Sequence, residues 1–266
     1  MPELPDVEVY KHHLEAHGLR KVIDRVELRS ADRMLGDTDA SSLHRRLEGH
    51  TLTDTARHGK YLFAHIGGDG WLVLHFGMTG YVAYGENSEA DPEHNVLVLF
   101  YKDGSHLAFN CRRKLGAIAL TESPGAFVEK KGLGPDATSL SENHFSGLLK
   151  ERGGTVKGFL MNQELLAGLG NIYSDEVLFQ AGIHPKTRLD SLDASQRKAL
   201  YRAMQKVIKA AIKAEAEPER MPDDFLTPQR GQRNAKCPFC GGPPKRISAS
   251  GRHAWYCPCR QPEPQS

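Results

Sequence analysis

Two helical segments separated by a glycine-rich turn decide the fold: residues 157–182 have the sequence KGFLMNQELLAGLGNIYSDEVLFQAG. Lys157–Leu166 and Ile172–Ala181 have helical patterns, and Ala167-Gly168-Leu169-Gly170-Asn171 interrupts them. Glycine permits close backbone approach to a partner, and Asn171 is a favourable N-cap. The N–H groups of such a helix start, with Lys157 nearby, predict an anion site. A plain structural turn between packed helices is the alternative, and it is the more common arrangement.

Helical periodicity continues from Ser141 to about Ala216. The strongest segment is Leu192–Ala216, whose predicted apolar face contains Leu200, Met204, Val207, Ile208 and Ile212. Residues 132–136 are rich in Gly and Pro and indicate a domain boundary before this region. Residues 215–228 are acidic and contain proline, which predicts a linker or mobile loop.

The chain before this boundary favours short strands. Turn residues separate the predicted strands, which are Val22–Leu28, Tyr61–Ile66, Trp71–His75, Val96–Tyr101 and His106–Phe109. Close spacing of short strands favours an antiparallel sandwich or barrel. One helix is predicted in front of them, because Pro5 suits a first turn, acids follow it, and Gly18 closes the segment.

The composition is typical of an ordinary globular protein. The chain has 266 residues, of which 39% are hydrophobic and 26% charged. These values exclude collagen-like, coiled-coil and wholly disordered chains. No stretch has the roughly 18 apolar residues of a membrane helix, and the acidic start does not resemble a secretory signal. We therefore expect a cytoplasmic protein without membrane association, located at the nucleoid if the source is bacterial.

Positive charge is concentrated at the C-terminal end. Residues 228–266 contain seven Lys/Arg and one acid, so this segment has a charge of +6 and the rest of the chain −4, which together give the net +2. A basic segment on a slightly acidic body indicates a polyanionic partner. A solvated basic tail is the equally simple alternative.

Four of the five cysteines fall close together in this basic segment. They are Cys237, Cys240, Cys257 and Cys259. In a reducing compartment, clustered pairs of this kind predict one tetrahedral Zn²⁺ before they predict disulfides. The second pair has a single intervening residue, which tightens simultaneous chelation, and a redox pair is the alternative. Cys111 stands alone and is expected to be a buried, inert thiol.

Short motifs along the whole chain resemble those of one enzyme family. They are Pro2-Glu3-Leu4-Pro5-Asp6-Val7-Glu8, His58-Gly59-Lys60-Tyr61-Leu62, His75-Phe76-Gly77-Met78-Thr79-Gly80, Gly168–Glu176 and Gly251–Cys257. In this order they resemble the N-terminus, lysine turn, wedge loop, helix–two-turn–helix motif and zinc-finger hairpin of formamidopyrimidine-DNA glycosylases. The resemblance implies an α+β fold, in which an N-terminal helix plus an antiparallel β-sandwich domain precede a helical helix–two-turn–helix domain with a zinc-finger β-hairpin. The implied regions are 1–130, 131–220 and 221–266.

The resemblance implies a bifunctional DNA glycosylase and AP lyase that excises oxidised purines. Pro2 is the implied nucleophile after removal of Met1, and its attack on the sugar C1′ leaves an iminium that permits β- and δ-elimination. Glu3 is the implied proton donor or shuttle, and Lys60 donates or positions protons. Glu176 is the implied acid near the nucleophile. Arg252 is the implied arginine that reaches the phosphates, for which a guanidinium gives bidentate contact.

Base excision from a duplex requires a flipped-out nucleotide. The resemblance implies that Met78 fills the vacated stack. The implied DNA contacts are His94, Arg112 and Arg152, and the implied phosphate contacts beside the lesion are Lys157 and Asn171. The implied partner is double-stranded damaged DNA, bound by a monomer with one structural Zn²⁺.

Three features depart from the family pattern. Asn110-Cys111-Arg112-Arg113-Lys114-Leu115-Gly116 replaces Asp-Pro-Arg-Arg-Phe-Gly, so that one residue is added and Leu115 or Lys114 must replace the Phe wedge. The loop before the cysteines, Met221–Lys236, is short and lacks a Gly-rich stretch. The Cys257-Pro258-Cys259 spacing is the third departure. Alternative functions are an endonuclease VIII-like glycosylase for oxidised pyrimidines, a catalytically silent DNA-binding module and, more remotely, a zinc-ribbon RNA-binding protein.

Overall fold

The structure, a computed structural model, describes residues 1–29, 31–68, 70–86, 93–150 and 152–264. The last two residues of the predicted C-terminal region, 265–266, lie outside these ranges. The backbone divides into two units, Met1–Gly132 and Leu133–Ser266. Within the described residues, no helix is both long enough and apolar enough to cross a membrane.

The first unit begins with the predicted N-terminal helix, α1 (Leu4–His17). Glu3 is its N-cap, and the backbone N–H of Glu3 donates to the Asp6 carboxylate at 2.9 Å, as in a capping box. Gly18 ends the helix, with its N–H bonded to the carbonyl of Leu14. Because Leu4, Val7 and Leu14 are fully buried, the position of the N-terminus is fixed by the core.

In the described part of the first unit, eight strands form two antiparallel four-stranded sheets. Their bounds are β1 (Ile23–Leu28), β2 (Leu52–His58), β3 (Tyr61–Ile66), β4 (Trp71–His75), β5 (Gly80–Gly85), β6 (Asn95–Tyr101), β7 (His106–Cys111) and β8 (Ala117–Thr121). The strand orders are β1-β6-β7-β5 and β2-β3-β4-β8. Alternating residues of both sheets, such as Leu62 and Leu74 in one and Leu97 and Phe109 in the other, share one core with α1. The predicted sandwich is confirmed.

Three short helices complete the first unit: α2 (Asp32–Leu35), α3 (Ala40–Leu47) and α4 (Pro124–Lys130). The sequence patterns missed all three, and also missed β2, β5 and β8. Phe127 of α4 covers the outer face of the second sheet, against Phe63 and Val73. Cys111 is fully buried in the main core, as predicted.

The described residues of the second unit include four α-helices and one hairpin. The helices are α5 (Glu142–Leu149), α6 (Val156–Met161), α7 (Asn171–Ala181) and α8 (Ala194–Lys213), and the hairpin strands are β9 (Lys245–Ala249) and β10 (Arg252–Tyr256). Helix α8 buries Leu200, Met204, Val207 and Ile208, whereas Ile212 is only half-buried because Ala211 takes the inward position near the helix end.

The glycine turn differs from its prediction in two details. Helix α6 ends at Met161 rather than Leu166, because the Gln163 amide donates to the carbonyls of Met161 and Leu169 and stabilises a turn. Asn171 is not the N-cap of α7 but its first residue; Gly170 is the N-cap. Gly168, with a φ of 124°, turns the chain into this helix.

Residues 215–228 are not the predicted linker. The segment contains two short 3₁₀ turns, Pro218–Arg220 and Thr227–Gln229. Four of its residues are buried in the second unit, namely Met221, Phe225, Leu226 and Thr227. The prediction was wrong because the acidic residues determine the composition, while the apolar residues between them determine the packing.

The chain after β10 is tied to the end of α7. The Arg260 guanidinium donates to the carbonyls of Phe179 at 2.7 Å and Gln180 at 3.0 Å. The Gln261 side chain, fully buried, donates to the carbonyl of Ile183 and accepts from the N–H of Cys257. These bonds add partners to carbonyls at the end of α7, where Phe179 also accepts the N–H of Gly182.

Phe225→Ala tests whether residues 215–228 are part of the folded unit. Phe225 is 1% exposed, so truncation is expected to lower the free energy of unfolding by about 3–5 kcal/mol. The control is Phe239→Ala, because Phe239 is 57% exposed and its loss is expected to cost less than about 1 kcal/mol. Denaturant unfolding followed by circular dichroism measures both. Equal, small effects would restore the linker interpretation.

Candidate functional site

The first candidate cluster lies where α1 begins, near the β2–β3 turn. Pro2 is buried and Glu3 is 0% exposed. Lys60 occupies the turn between the paired residues His58 and Tyr61, where Gly59 has a φ of 55°. A glycine is favoured at this turn because other residues rarely adopt a positive φ.

The charged groups of this cluster act on one another. Burial raises the pKa of Asp6 to about 6, and the neighbouring Glu3 carboxylate adds to this shift. Burial also lowers the pKa of Lys60, while the charges of Glu3 and Asp6 oppose this effect. An acid and an amine whose pKa values both move toward neutrality are suited to proton transfer. The structure therefore brings Glu3 and Lys60 into one electrostatic environment.

His75 and Asp6 belong to this cluster, although sequence reasoning did not assign them to the site. His75 ends β4, and its ring lies 4.8 Å from the Tyr61 ring. Burial lowers the pKa of His75 to about 4, and the charge of Lys60 lowers it further. The imidazole is therefore neutral at physiological pH. The register of β3 and β4, which pairs His75 with Tyr61, was the missing information.

The Met78 loop and the loop after β7 are packed together. A Cβ on Gly77 would lie 2.4 Å from the carbonyl carbon of Leu115, so only glycine permits this approach. The backbone N–H of Arg113 donates to the Thr79 hydroxyl at 3.2 Å. Sequence reasoning did not select Arg113, and its side chain is exposed on this loop.

These loops expose apolar side chains. Met78 is 41% exposed, Leu115 is 52% exposed, and Tyr81 on β5 is 38% exposed. Arg112 is exposed on the same loop as Leu115, and the carbonyl of the partly exposed His94 accepts the N–H of Cys111 at the base of that loop. The structure thus gathers the predicted DNA contacts Met78, His94 and Arg112 on connected loops. Exposed apolar groups beside cationic groups are typical of an interaction surface.

Lys157 does not lie at the surface. Its side chain is 0% exposed, and its ammonium group donates to the Asp175 carboxylate at 2.5 Å and to the Ser174 hydroxyl at 3.1 Å. The predicted direct contact with a phosphate does not fit this placement, because the charge is buried and paired. Local sequence could not show the pairing, since Asp175 lies on the next helix.

The other residues predicted near the glycine turn remain accessible. Asn171 is partly exposed at the start of α7, and its side-chain oxygen is buried without a hydrogen-bond partner in the described part of the chain. Arg152 is exposed in the segment before α6. Both can meet a partner at the surface of the second unit.

Glu176 is a buried anchor. It is 1% exposed, and one carboxylate oxygen accepts from both the backbone N–H and the hydroxyl of Thr227 at 2.6 Å. The other oxygen accepts from Gln180 at 2.9 Å. Burial raises the pKa of Glu176, while these hydrogen bonds oppose the shift. The carboxylate predicted as a catalytic acid thus holds the 3₁₀ turn at residue 227 and is not exposed.

Three of the four clustered cysteines form a candidate metal centre. The sulfur atoms of Cys237, Cys240 and Cys257 all lie within 4.8 Å of one another, and those of Cys240 and Cys257 are 3.5 Å apart. A tetrahedral site with metal–sulfur distances of about 2.3 Å needs sulfurs separated by roughly 3.8 Å. The arrangement fits such a metal. Cys259 is exposed, next to Cys240, and lies outside the set of three.

Arg252 lies at the turn end of the hairpin, and Cys257 follows the other end of the same strand. Arg252 is the first residue of β10, pairs with Ala249, and is exposed next to the Ser250-Gly251 turn. All five cysteines fall within the described ranges, and none forms a disulfide.

Comparisons with known proteins agree with these features. The sequence-family model of the formamidopyrimidine-DNA glycosylase N-terminal domain matches residues 1–118. The family model of the H2TH (helix–two-turn–helix) domain of the same enzymes matches residues 132–222. Together the two domain models define the class as DNA glycosylases with a helix–two-turn–helix domain. Curated relatives named formamidopyrimidine-DNA glycosylase include those of Geobacter metallireducens, 32% identical over 97% of this chain and 98% of the relative, and Solibacter usitatus, 33% identical with the same coverage.

Solved structures give the same result. The wild-type Lactococcus lactis Fpg (MutM) in complex with DNA containing N7-benzyl-Fapy-dG has a TM-score of 0.89 and 29% identity, covering 98% of this chain and 100% of that one. MutM bound to DNA containing carbocyclic 8-oxo-G has a TM-score of 0.88 and 28% identity. The chain therefore belongs to the formamidopyrimidine-DNA glycosylase family.

Asp6→Asn tests the electrostatics of the N-terminal cluster. Because the pKa of Asp6 rises from 3.8 to about 6 on folding, the folded state binds this proton more tightly. The resulting stability is complete below pH 4 and is lost as the pH rises through 6. The variant lacks this loss, so its free energy of unfolding relative to the wild type should increase by on the order of 2–3 kcal/mol between pH 4 and pH 7.

Denaturant unfolding at several pH values measures this difference. Asp32→Asn is the control, because Asp32 is exposed on a four-residue helix. If the two variants showed the same pH profile, the placement of Asp6 among buried charges would be incorrect.

Proposed function

We propose that this chain is a base-excision-repair DNA glycosylase with AP lyase activity that removes oxidised purines from double-stranded DNA. The observation that carries the proposal is the N-terminal cluster, in which Pro2, Glu3 and Lys60 lie at a helix start and a neighbouring turn. The complexes of related proteins with lesion-containing DNA support it. A DNA substrate implies an intracellular site of action, and we propose a monomer.

Pro2 is the proposed nucleophile. Met1 is 50% exposed, and its removal leaves a secondary amine at Pro2. The amine nitrogen forms a bond to the sugar C1′ while the glycosidic bond breaks, and the base leaves with a proton. The amine loses its proton, and the C1′–O4′ bond then opens as O4′ takes up a proton, which leaves an iminium at C1′. This iminium acidifies the 2′ hydrogen, so loss of that proton and of the 3′ phosphate breaks the strand. A second elimination releases the 5′ phosphate.

Glu3 and Lys60 are the proposed proton carriers. The carboxylate of Glu3 is one residue from the nucleophile, and burial lowers the pKa of Lys60, which favours release of its proton. The neutral imidazole of His75 and the carboxyl group of Asp6 are neighbours of Glu3 and Lys60, and both affect the electrostatic environment of these two groups. Every proton released by the amine or the sugar thus has an acceptor within the cluster.

The two packed loops form the proposed duplex contact. Met78 enters the space vacated by the flipped nucleotide, and Leu115, rather than Lys114, supplies apolar surface on the neighbouring loop. The residues proposed to contact the DNA are His94, Arg112, Arg152, Asn171 and Arg252. Lys157 and Glu176 act indirectly in this proposal, through Asp175 and Thr227. The proposed functional regions are 1–130, 131–220 and 221–266.

The proposed metal is one Zn²⁺, held by Cys237, Cys240, Cys257 and Cys259. When bound, zinc is a structural ion that holds the hairpin with Arg252 in place. The exposed position of Cys259 allows it to complete the set by a small movement of the chain between Cys257 and Arg260.

Borohydride trapping on an abasic duplex tests the nucleophile. Wild-type protein should form a covalent adduct, and Pro2→Gly or a variant that retains Met1 should lose most of it. Lys60→Met should slow base excision, whereas Lys102→Met, which removes an exposed lysine, should not. A full yield of adduct in Pro2→Gly would contradict the assignment.

The class of lesion that the protein prefers is tested by comparing its excision rates on different damaged bases. The short loop before Cys237 and the missing aromatic wedge reduce recognition of the base and of the opposite cytosine, because aromatic stacking contributes about 1–3 kcal/mol. Abasic-site cleavage and formamidopyrimidine excision should be strong, and discrimination of 8-oxoguanine should be weak. Single-turnover rates on matched duplexes measure this. A higher rate on thymine glycol would favour the endonuclease VIII-like alternative, and no cleavage at all would favour a silent DNA-binding module.

Metal analysis tests the zinc centre. The purified protein should contain about one Zn²⁺ per chain, and Cys237→Ser should lose it, because this buried thiol has no substitute nearby. Cys111→Ser, in the core of the first unit, is the control and should retain zinc. If Cys259→Ser kept full zinc content and stability, Cys259 would not be the fourth ligand.

A further inference from the structure

One buried carboxylate connects three separate segments of the second unit. Asp175 lies on α7 and is 1% exposed. One oxygen accepts from the Lys157 ammonium group of α6 at 2.5 Å. The other accepts from the backbone N–H of Trp255 at 3.0 Å and from two nitrogens of Arg230 at 3.3 Å.

The bond to Trp255 sets the position of the hairpin on the helix. Trp255 is on β10, three residues after Arg252. The strand is short and its ladder joins only β9 within the described chain, so contacts outside the hairpin decide where Arg252 lies. These contacts include the bond from Trp255 to Asp175 on α7 and a 2.6 Å contact between the hydroxyls of Ser250 and Thr155. A hydrogen bond from a backbone N–H to a carboxylate is charge-assisted and stronger than a neutral one.

The bond to Arg230 ties the segment before the first cysteine to the same carboxylate. Arg230 follows the 3₁₀ turn that Glu176 holds, and precedes the first cysteine of the metal centre. Its side chain is 21% exposed, whereas that of Lys157 is fully buried. A buried carboxylate requires such compensation, since an unpaired charge in a protein interior is strongly unfavourable.

We propose that Asp175 is a positioning residue for DNA binding, which holds β10 through Trp255 so that Arg252 meets a phosphate. The inference rests on the proposed function, because it assumes that Arg252 contacts DNA. The inference also assigns a role to Lys157. This lysine neutralises the Asp175 carboxylate and affects DNA binding only through Asp175.

A double-mutant cycle between Asp175→Asn and Arg252→Ala tests the inference. The measured quantity is the dissociation constant for a duplex with an unreactive abasic analogue, at several salt concentrations. Arg252→Ala should weaken binding about tenfold, as expected for loss of a charged hydrogen bond. Asp175→Asn should weaken it to a similar extent, and should have little further effect when Arg252 is already absent.

Asp190→Asn is the matched control, because its ion pair with Arg188 is exposed. Zinc content and circular dichroism identify any variant that fails to fold. If Asp175→Asn does not fold, Arg230→Gln takes its place in the cycle, since Arg230 is partly exposed; its effect should be smaller but should also vanish in the Arg252→Ala background.

The outcomes separate the inference from the function. If the effects of the two substitutions multiply, Asp175 does not act through Arg252, and the inference is overturned while DNA binding stands. If Arg252→Ala leaves binding unchanged, the phosphate contact and the inference fail together. If the wild type does not bind the duplex, the proposed function itself is wrong.

Discussion

The burial of helix α1 in the core of the first unit is the constraint on which the candidate active site depends. Leu4, Val7 and Leu14 are fully buried, and the capping box at Glu3 and Asp6 fixes the backbone immediately before them. A chain terminus is ordinarily the most mobile part of a domain. Here it is fixed by packing, so a reactive amine at Pro2 would have a defined position relative to the carboxylates and to Lys60. The same burial removes water from the cluster, which raises the pKa of Asp6 and lowers that of Lys60.

How much of the fold the sequence predicts depends on how each element is stabilised. The bounds of β3 and β4 agree with the patterns because both strands are short, continuous apolar runs, each buried at three successive positions. Strand β2 was missed because its sequence, LTDTARH, is polar, and it is a strand only because it pairs with β3. Strand β8 was missed because Ala and Leu do not favour strands, and pairing with β4 decides its conformation. Residues 215–228 show the same limit, since long-range burial overrides an acidic composition.

For the candidate site, the sequence shows which reactive and metal-binding side chains are present, but it does not show which of the charged side chains are buried. The cysteine spacing and the basic hairpin are local, so they are visible without a structure. Lys157 and Glu176 are charged residues near a predicted anion site, and nothing local distinguishes them from surface groups. Their partners, Asp175 and Thr227, lie 18 and 51 residues away along the chain. A charged group can be buried only when a partner compensates its charge, and a single sequence does not reveal which distant residue is the partner.

The bonds from Arg260 and Gln261 to the end of α7 have a consequence for biosynthesis. The first unit ends at Gly132, so all of its strands have been synthesised while half of the chain is still to be translated. The second unit is different, because its carbonyl contacts at Phe179, Gln180 and Ile183 are made by residues roughly 80 positions further along the chain. Domains that fold during synthesis do so in order of emergence. The second unit therefore reaches its final packing only once the segment that contains Arg260 and Gln261 has been synthesised, and a chain cut at residue 259 would lack the bonds of these two residues to the end of α7.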